Sequence, residues 1–414
     1  MNDPLVSIVI PVYNGSNYIR EALESALEQS YSNCEIIVVN DGSTDNTEEI
    51  LLSYGNNIRY FYKENGGVST ALNLGIEKMR SEYFSWLSHD DIYYHDKIER
   101  QINALKNCGD MTRIVWGDYD WIVKENDGQM RLYPRQFLKT DTTNVLTDSV
   151  YPVIKHYIAG CALLIHRSHF ERVGLFRTDL RYTQDYDLWF RMFCGQKTVC
   201  IASSLYKSRL HPQQVTNTAS EKMHSDEAVL WYGITNSIER EEVEKWFRSM
   251  YEFYRYMYLK VVNYGNDEIT QSIFDMFAAE KVPSANNGLI DYLKEYISTK
   301  TLGKTCRLCI LGTDTNDIHA YHELLTYNIK VDFFVDTDNA ICNDKKAATS
   351  YVKCLSFDEL SEIKDTTLVI IQNRRTNTKM KQLNDANFPY VISMEDLKLK
   401  IMYYQRKNGM IRTE

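Results

Sequence analysis

Residues 5–12, LVSIVIPV, form an apolar, β-branched run that stops at Asn14-Gly15, and the stretch after it carries Ile19, Leu23, Ala26 and Leu27 at helical spacing. This pattern predicts a strand, a turn and a helix. CEIIVVN (34–40) reads as a buried strand, DGSTDNT as a turn in which Ser43, Thr44 or Asp45 can cap the next helix, and TEEILLSYG as that helix, closed by Gly55. IRYFYKE, GGVSTALNLGIEKM and YFSWLS continue as strand, helix and strand. Such alternation predicts an open, mainly parallel sheet covered by helices.

Further strands are expected in RIVWGDYDWIV (113–123) and at the start of GCALLIHRSHFERVGLF, which ends as a helix; another helix is expected from about Asp185 to Phe193. From about 218 to 300 the pattern becomes helical. EEVEKWFRSMYEFYRYMYLKVV places Val243, Phe247, Met250, Tyr254, Met257 and Val261 on one face of a single helix, read as a packing face because the outer face mixes both charge signs. From Lys304 strands and helices alternate again, which predicts a small Rossmann-like domain. Its first loop, Gly312 to Asp317, keeps only one glycine of a dinucleotide fingerprint, so a scaffold, acceptor-recognition or assembly role is favoured there. The expected domains are 1–217, 218–303 and 304–414.

Composition narrows the function. Against 56 acidic residues stand 47 basic ones, a net charge of −9 with no sustained basic block, which argues against nucleic acid as a partner. No apolar run approaches the ~20 residues of a membrane span, and the N-terminus lacks a signal-peptide pattern, so a cytoplasmic location is expected. Nine scattered cysteines fit a reducing compartment, and Cys306 and Cys309 read as strand residues and not as metal ligands. The tail LKLKIMYYQRKNGMIR reads as an amphipathic terminal helix, with contact to an anionic membrane surface as the alternative.

In open α/β sheets, ligands bind beyond the carboxyl ends of the strands. The loops PVYNG, NDGSTD, ENGG and SHDD all belong to that edge. Asp90 and Asp91, directly after a strand, suit a hard divalent cation that completes its shell with substrate phosphates; the competing reading is a cap for the helix whose core face is Ile98, Ile102 and Leu105. Asp41 is placed to accept from base N–H or ribose hydroxyls, and Tyr13 to wall a base. These residues predict a nucleotide-diphosphate site.

SIVIPVYNG, EIIVVNDGSTDNT, NGGVSTALNLGI, YFSWLSHDDIYYHDKI, GCALLIHRSHFERVGLF, TQDYDLWFRM and SRLHPQQVT, in that order over residues 5 to about 217, resemble family 2 glycosyltransferases. The resemblance implies a GT-A nucleotide-diphospho-sugar transferase fold and single-displacement, inverting transfer. It implies a donor, UDP-linked by analogy, contacted by Pro11, Val12, Tyr13, Asn14, Asp41, Asn65, Gly67, His89 and Asp90. The family's D-x-D region falls on Ser88-His89-Asp90, followed by Asp91. Asp90, Asp91 and His211 are thus the implied ligands of Mn²⁺ or Mg²⁺. The family's E-D motif reads Gln184-Asp185, which makes Asp185 the implied base, with Asp187 as fallback. Implied acceptors are a surface polysaccharide, a lipid-linked glycan or a glycoprotein. Peripheral contact with the inner membrane face and a homo-oligomer are left open. Two rival readings are a non-catalytic nucleotide-sugar-binding scaffold and an epimerase or oxidoreductase working through the C-terminal domain.

Overall fold

In the computed structural model the apolar runs become strands β1 (Val6–Val12), β2 (Cys34–Asp41), β3 (Arg59–Lys63) and β4 (Tyr83–Trp86), with helices α1 (Ile19–Leu27), α2 (Thr47–Leu52) and α3 (Val68–Lys78) between them. The structure describes residues 3–125, 127–135, 147–211, 220–247, 249–262, 264, 266–280, 292–293, 295, 307–311, 315–326, 331–336, 353–363, 365, 367–371, 383, 388–389, 391–394 and 397. It divides into two compact units, 1–248 and 249–414. The helices within 218–303 therefore fall in both units.

The first unit contains a sheet ordered β3-β2-β1-β4 with a short β8 (Ile165–His166) beyond β4. The first four strands are parallel and β8 is antiparallel. Every residue of β1 is buried, as expected of a strand covered on both faces. Helix α3 lies against β1 so closely that a Cβ on Gly75 would sit 2.3 Å from Val9 Cγ1. Because the strands are parallel, their carboxyl ends deliver residues 13–18, 42–46, 64–67 and 87–91 to one edge.

A second sheet, ordered β5-β9-β6-β7, is built from β5 (Ile92–Tyr93), β6 (Ile114–Lys124), β7 (Met130–Pro134) and β9 (Thr198–Leu210). Strand β9 runs parallel to β6, with register shifts around Asp118. Gly117 is tight there, since a Cβ would meet Ile201 O at 2.8 Å. Around these sheets pack α4 (Lys97–Cys108), α5 (Tyr151–Ile154), α6 (Ser168–Val173), α7 (Gln184–Phe193), α8 (Ser220–Ser237) and α9 (Arg240–Glu244).

The second unit contains α10 (Met250–Val261), α11 (Asp267–Ala279), β10 (Arg307–Leu311), α12 (Thr315–Thr326), β11 (Phe333–Asp336), β12 (Lys353–Ser356), α13 (Phe357–Glu362), β13 (Thr367–Ile371) and β14 (Val391–Ser393). Its sheet, ordered β12-β11-β10-β13-β14, is parallel throughout. Alternate strand residues enter two separate cores, Ile310 and Ile370 on one face, Cys309 and Val369 on the other. Among the described residues no helix is long and apolar enough to cross a membrane.

Several expectations need correction. The single helix over 241–262 is two: α9 ends at Glu244, and α10 restarts at Met250 with the Ser249 hydroxyl accepting from Glu252 N–H. A serine at that position competes for the backbone and caps a new helix. The buried face of α10 is Met250, Tyr251, Phe253, Met257, Tyr258 and Val261, so Tyr254 lies off it. Leu27 is exposed, because Ile19, Ala22, Leu23 and Ala26 already fill the inward face of α1. Gly55 does not close α2; the helix ends at Leu52 and Gly55 opens a 3-10 turn at φ 53°. The strand expected in GCALLIH is only two residues long. Cys309 is a buried strand residue, whereas Cys306, residues Gly312 to Asp314 and the basic tail beyond Leu397 lie outside the described residues.

Candidate functional site

The turns after β1 and β2 are laced together. Asn14 adopts a left-handed conformation at φ 49°, from which its N–H donates to Ser43 Oγ (2.9 Å) and its Oδ1 accepts from Thr44 N–H (2.8 Å). Gly15 and Ser16 N–H donate to Thr47 Oγ1 and Asp45 Oδ2 at 2.9 and 3.2 Å. The cap position of α2 is Asn46, one residue past the three expected, and it makes no side-chain cap bond; Asp45 Oδ1 accepts from Thr47 N–H at 3.0 Å just before the helix. Burial raises the Asp45 carboxyl, but bonds from Thr47 and Ser16 outweigh it and bring the pKa down to about 2. Pro11 and Val12 are buried in β1, while Tyr13 is 48% exposed at the edge, free to face a flat ligand.

Asp41 organises the next loop. Its carboxylate is buried and accepts from Gly66 N–H (3.0 Å), Gly67 N–H (2.8 Å) and Lys63 Nζ (2.5 Å), and Asn65 Nδ2 donates to its carbonyl at 3.0 Å. The structure thus brings Asp41, Asn65 and Gly67 together, with the aspartate bracing the glycine turn. Gly67, at φ 88°, takes a conformation that side chains rarely adopt.

Asp90 and Asp91 do not cap α4, which begins at Lys97 after Asp96. They diverge. Asp91 is buried, its Oδ1 accepting from Arg209 N–H at 3.0 Å; burial, with the Asp90 charge adding, pushes its pKa up to about 8. Asp90 Oδ2 instead lies 3.0 Å from His211 Nε2, at the end of β9. His89 packs against Gly15, where a Cβ would come within 2.6 Å of its ring, and burial lowers its pKa and favours the neutral imidazole. Ser88 N–H donates to Cys161 Sγ at 3.3 Å.

Among the described residues no group of three or more His, Cys, Asp or Glu is gathered to hold a metal ion. The Asp90–His211 pair offers two donors, which fits a hard divalent cation that takes its remaining oxygens from a diphosphate and water. Asp91 is turned toward the backbone of β9.

Asp185 lies in the first turn of α7, where its Oδ1 accepts from Tyr186 N–H at 2.9 Å. Burial raises its pKa to about 6, against 3.8 for an ordinary aspartate. Asp187 is bound by Arg191, with Nη2 at 2.6 Å and Nε at 3.0 Å from Oδ2. Beside Asp185, Thr183 Oγ1 and Gln184 Oε1 are buried without a hydrogen-bond partner. The Tyr186 ring packs against His156 at 4.6 Å and its hydroxyl donates to Ile158 O at 3.0 Å. Burial raises the pKa of both the Tyr119 and the Tyr186 hydroxyl, with Asp118 and Asp91 adding at Tyr119 and Asp185 adding at Tyr186. Arg135 lies over Tyr119 at 4.4 Å and 3.5 Å from Asp118.

Sequence reasoning missed Lys63, Arg135, Tyr119 and Arg209. Arg209 alone carried a signal, two positions before His211.

The sequence matches the family described as Glycosyl transferase family 2 over residues 7–174. It is 48% identical over 240 residues to an uncharacterized glycosyltransferase of Rickettsia typhi, spanning 58% of this chain and 74% of that one. A second uncharacterized glycosyltransferase, from Rickettsia felis, is 47% identical over 253 residues, 60% of this chain and 41% of that one. Among solved structures, S. aureus TarS 1-349 in complex with UDP-GlcNAc aligns with a TM-score of 0.47 at 14% identity, covering 78% of this chain and 88% of that chain.

Proposed function

The chain belongs to glycosyl transferase family 2, and from that premise we propose a metal-dependent, inverting transferase that moves a sugar from a UDP-sugar to a hydroxyl of a surface-glycan, lipid-linked or protein-linked acceptor. The observation that carries the reading is the meeting of Asp90 and His211 at the carboxyl edge of the parallel sheet. The donor lies across Tyr13, Asn14 and the Asp41–Gly67 loop, and residues from about 117 to 190 hold the acceptor.

Asp90 and His211 would hold the cation, with Mn²⁺ or Mg²⁺ as the ions that suit a carboxylate and diphosphate oxygens. A cation bound there would supply positive charge to offset the negative charge developing on the leaving diphosphate. Asp185 is the base. As the acceptor oxygen bonds to the anomeric carbon and the bond from that carbon to the diphosphate breaks, the acceptor's proton passes to Asp185, with inversion at the carbon. A carboxylate raised to about 6 is ionised at neutral pH, yet is a better proton acceptor than an ordinary aspartate.

The test is calorimetric titration with UDP, GDP and CDP, each with Mn²⁺ and with EDTA. The expected result is binding of UDP that Mn²⁺ tightens and that loses this tightening in Asp90→Ala. Equal affinity with and without Mn²⁺ would remove the metal from the reading, and preference for GDP or CDP would replace the donor.

A further inference from the structure

Arg209 is buried near the end of β9, yet it faces three segments at once. Its backbone N–H donates to Asp91 Oδ1 (3.0 Å), its Nε to the Asp90 carbonyl (2.9 Å) and its Nη2 to Glu21 Oε2 (2.8 Å). The guanidinium carbon stands 4.7 Å from the centre of the Tyr18 ring, which in turn is 5.0 Å from the His211 ring. One side chain therefore joins the start of α1, the 90–91 loop and the strand that delivers His211.

This arrangement explains how two neighbouring carboxylates can face different ways. The N–H of Arg209 draws Asp91 inward, and its fork fixes the Asp90 backbone so that Oδ2 meets His211 Nε2 at 3.0 Å. Resting on the metal site proposed for that pair, we propose that Arg209 is a positioning residue that pre-sets Asp90 and His211 for a divalent cation and ties them to the donor-side helix α1. Groups that orient metal ligands without touching the metal commonly change metal affinity ~10- to 100-fold when removed. Lysine cannot substitute, because an ammonium is a point charge that lacks the planar fork needed to reach Asp90 O and Glu21 together while stacking on Tyr18.

The experiment compares full-length wild type, Arg209→Lys and Glu21→Gln by UDP calorimetry in Mn²⁺ and in EDTA, with Mn²⁺ binding read separately by electron paramagnetic resonance. Arg209→Lys is expected to lose ~10-fold or more of Mn²⁺ affinity while UDP affinity in EDTA stays at the wild-type value. Glu21→Gln removes only a half-exposed partner, and a loss of about two- to fivefold is expected. A folded Arg209→Lys with wild-type Mn²⁺ affinity overturns the proposal. Should Arg209→Lys fail to fold, Glu21→Gln decides: unchanged Mn²⁺ affinity there overturns it equally. Wild-type protein that binds UDP but no Mn²⁺ refutes the metal-site reading itself, an outcome separate from a failure of Arg209.

Discussion

Three aspartates in this site share one side chain and differ only in surroundings. Asp45, bonded by Thr47 and Ser16, is held to about 2; Asp185, half-buried with backbone N–H groups on its carboxylate, is raised by burial to about 6; Asp91, buried beside Asp90, is raised to about 8. Of the three, Asp185 alone lies in the segment proposed to hold the acceptor. Asp185→Asn is therefore expected to lower the rate of sugar transfer by ~10²–10⁴ and to leave UDP affinity unchanged, as read by UDP release and calorimetry on the same sample. In wild type, transfer should rise with pH through about 6 and then level off, because Asp185 accepts a proton only when ionised. Stability moves the other way. A folded pKa of about 6 against an unfolded 3.8 favours the native state fully below about 3.8, and this contribution is lost as pH rises through about 6. Asp185→Asn should therefore be more stable than wild type at pH 8, by on the order of 1 kcal/mol, and should show little difference at pH 4 in urea titrations.

At the scale of elements, the strands that feed the donor edge were legible because apolar β-branched runs with Gly- and Asn-containing turns have few other uses. Strand β9 was not, since TVCIASSLYKSRL alternates polar and small residues and takes its form from pairing with β6. The break between α9 and α10 was also hidden: the apolar spacing of Val243, Met250 and Met257 survives it, and only the Ser249 cap reveals it. The fit of α3 on β1 has a sharper consequence. Gly75→Ala would bring a methyl within 2.3 Å of Val9 Cγ1, so α3 or the Val9 side chain must shift, on the strand that leads into the Tyr13–Asn14 turn. A loss of about 1–3 kcal/mol is expected for the first unit's transition in urea denaturation, the range for overpacking a tight contact. An unchanged midpoint would show that α3 can shift freely.

For the whole molecule, the chemistry-bearing side chains could be nominated from sequence but their partners could not. Asp90 and Asp91 stand next to each other in a strand-end loop, which spacing reveals; Arg209 meets them from 119 and 118 residues away, and Cys161 meets Ser88 from 73 away. Chain separation of that size leaves no periodic trace, so only the folded arrangement shows that one carboxylate faces His211 and the other the β9 backbone. The division of the chain was similarly masked, because helical periodicity continues across residue 248 while the packing does not. Every residue assigned to donor, metal or base lies between 11 and 211, inside the unit that spans 1–248. A chain ending at residue 248 should therefore bind UDP with Mn²⁺ within roughly twofold of the full-length protein. Calorimetry on the two chains checks this. Much weaker binding by a truncated chain with an intact circular dichroism spectrum would assign the 249–414 unit a direct part in holding the donor; equal binding with reduced transfer would assign it to the acceptor.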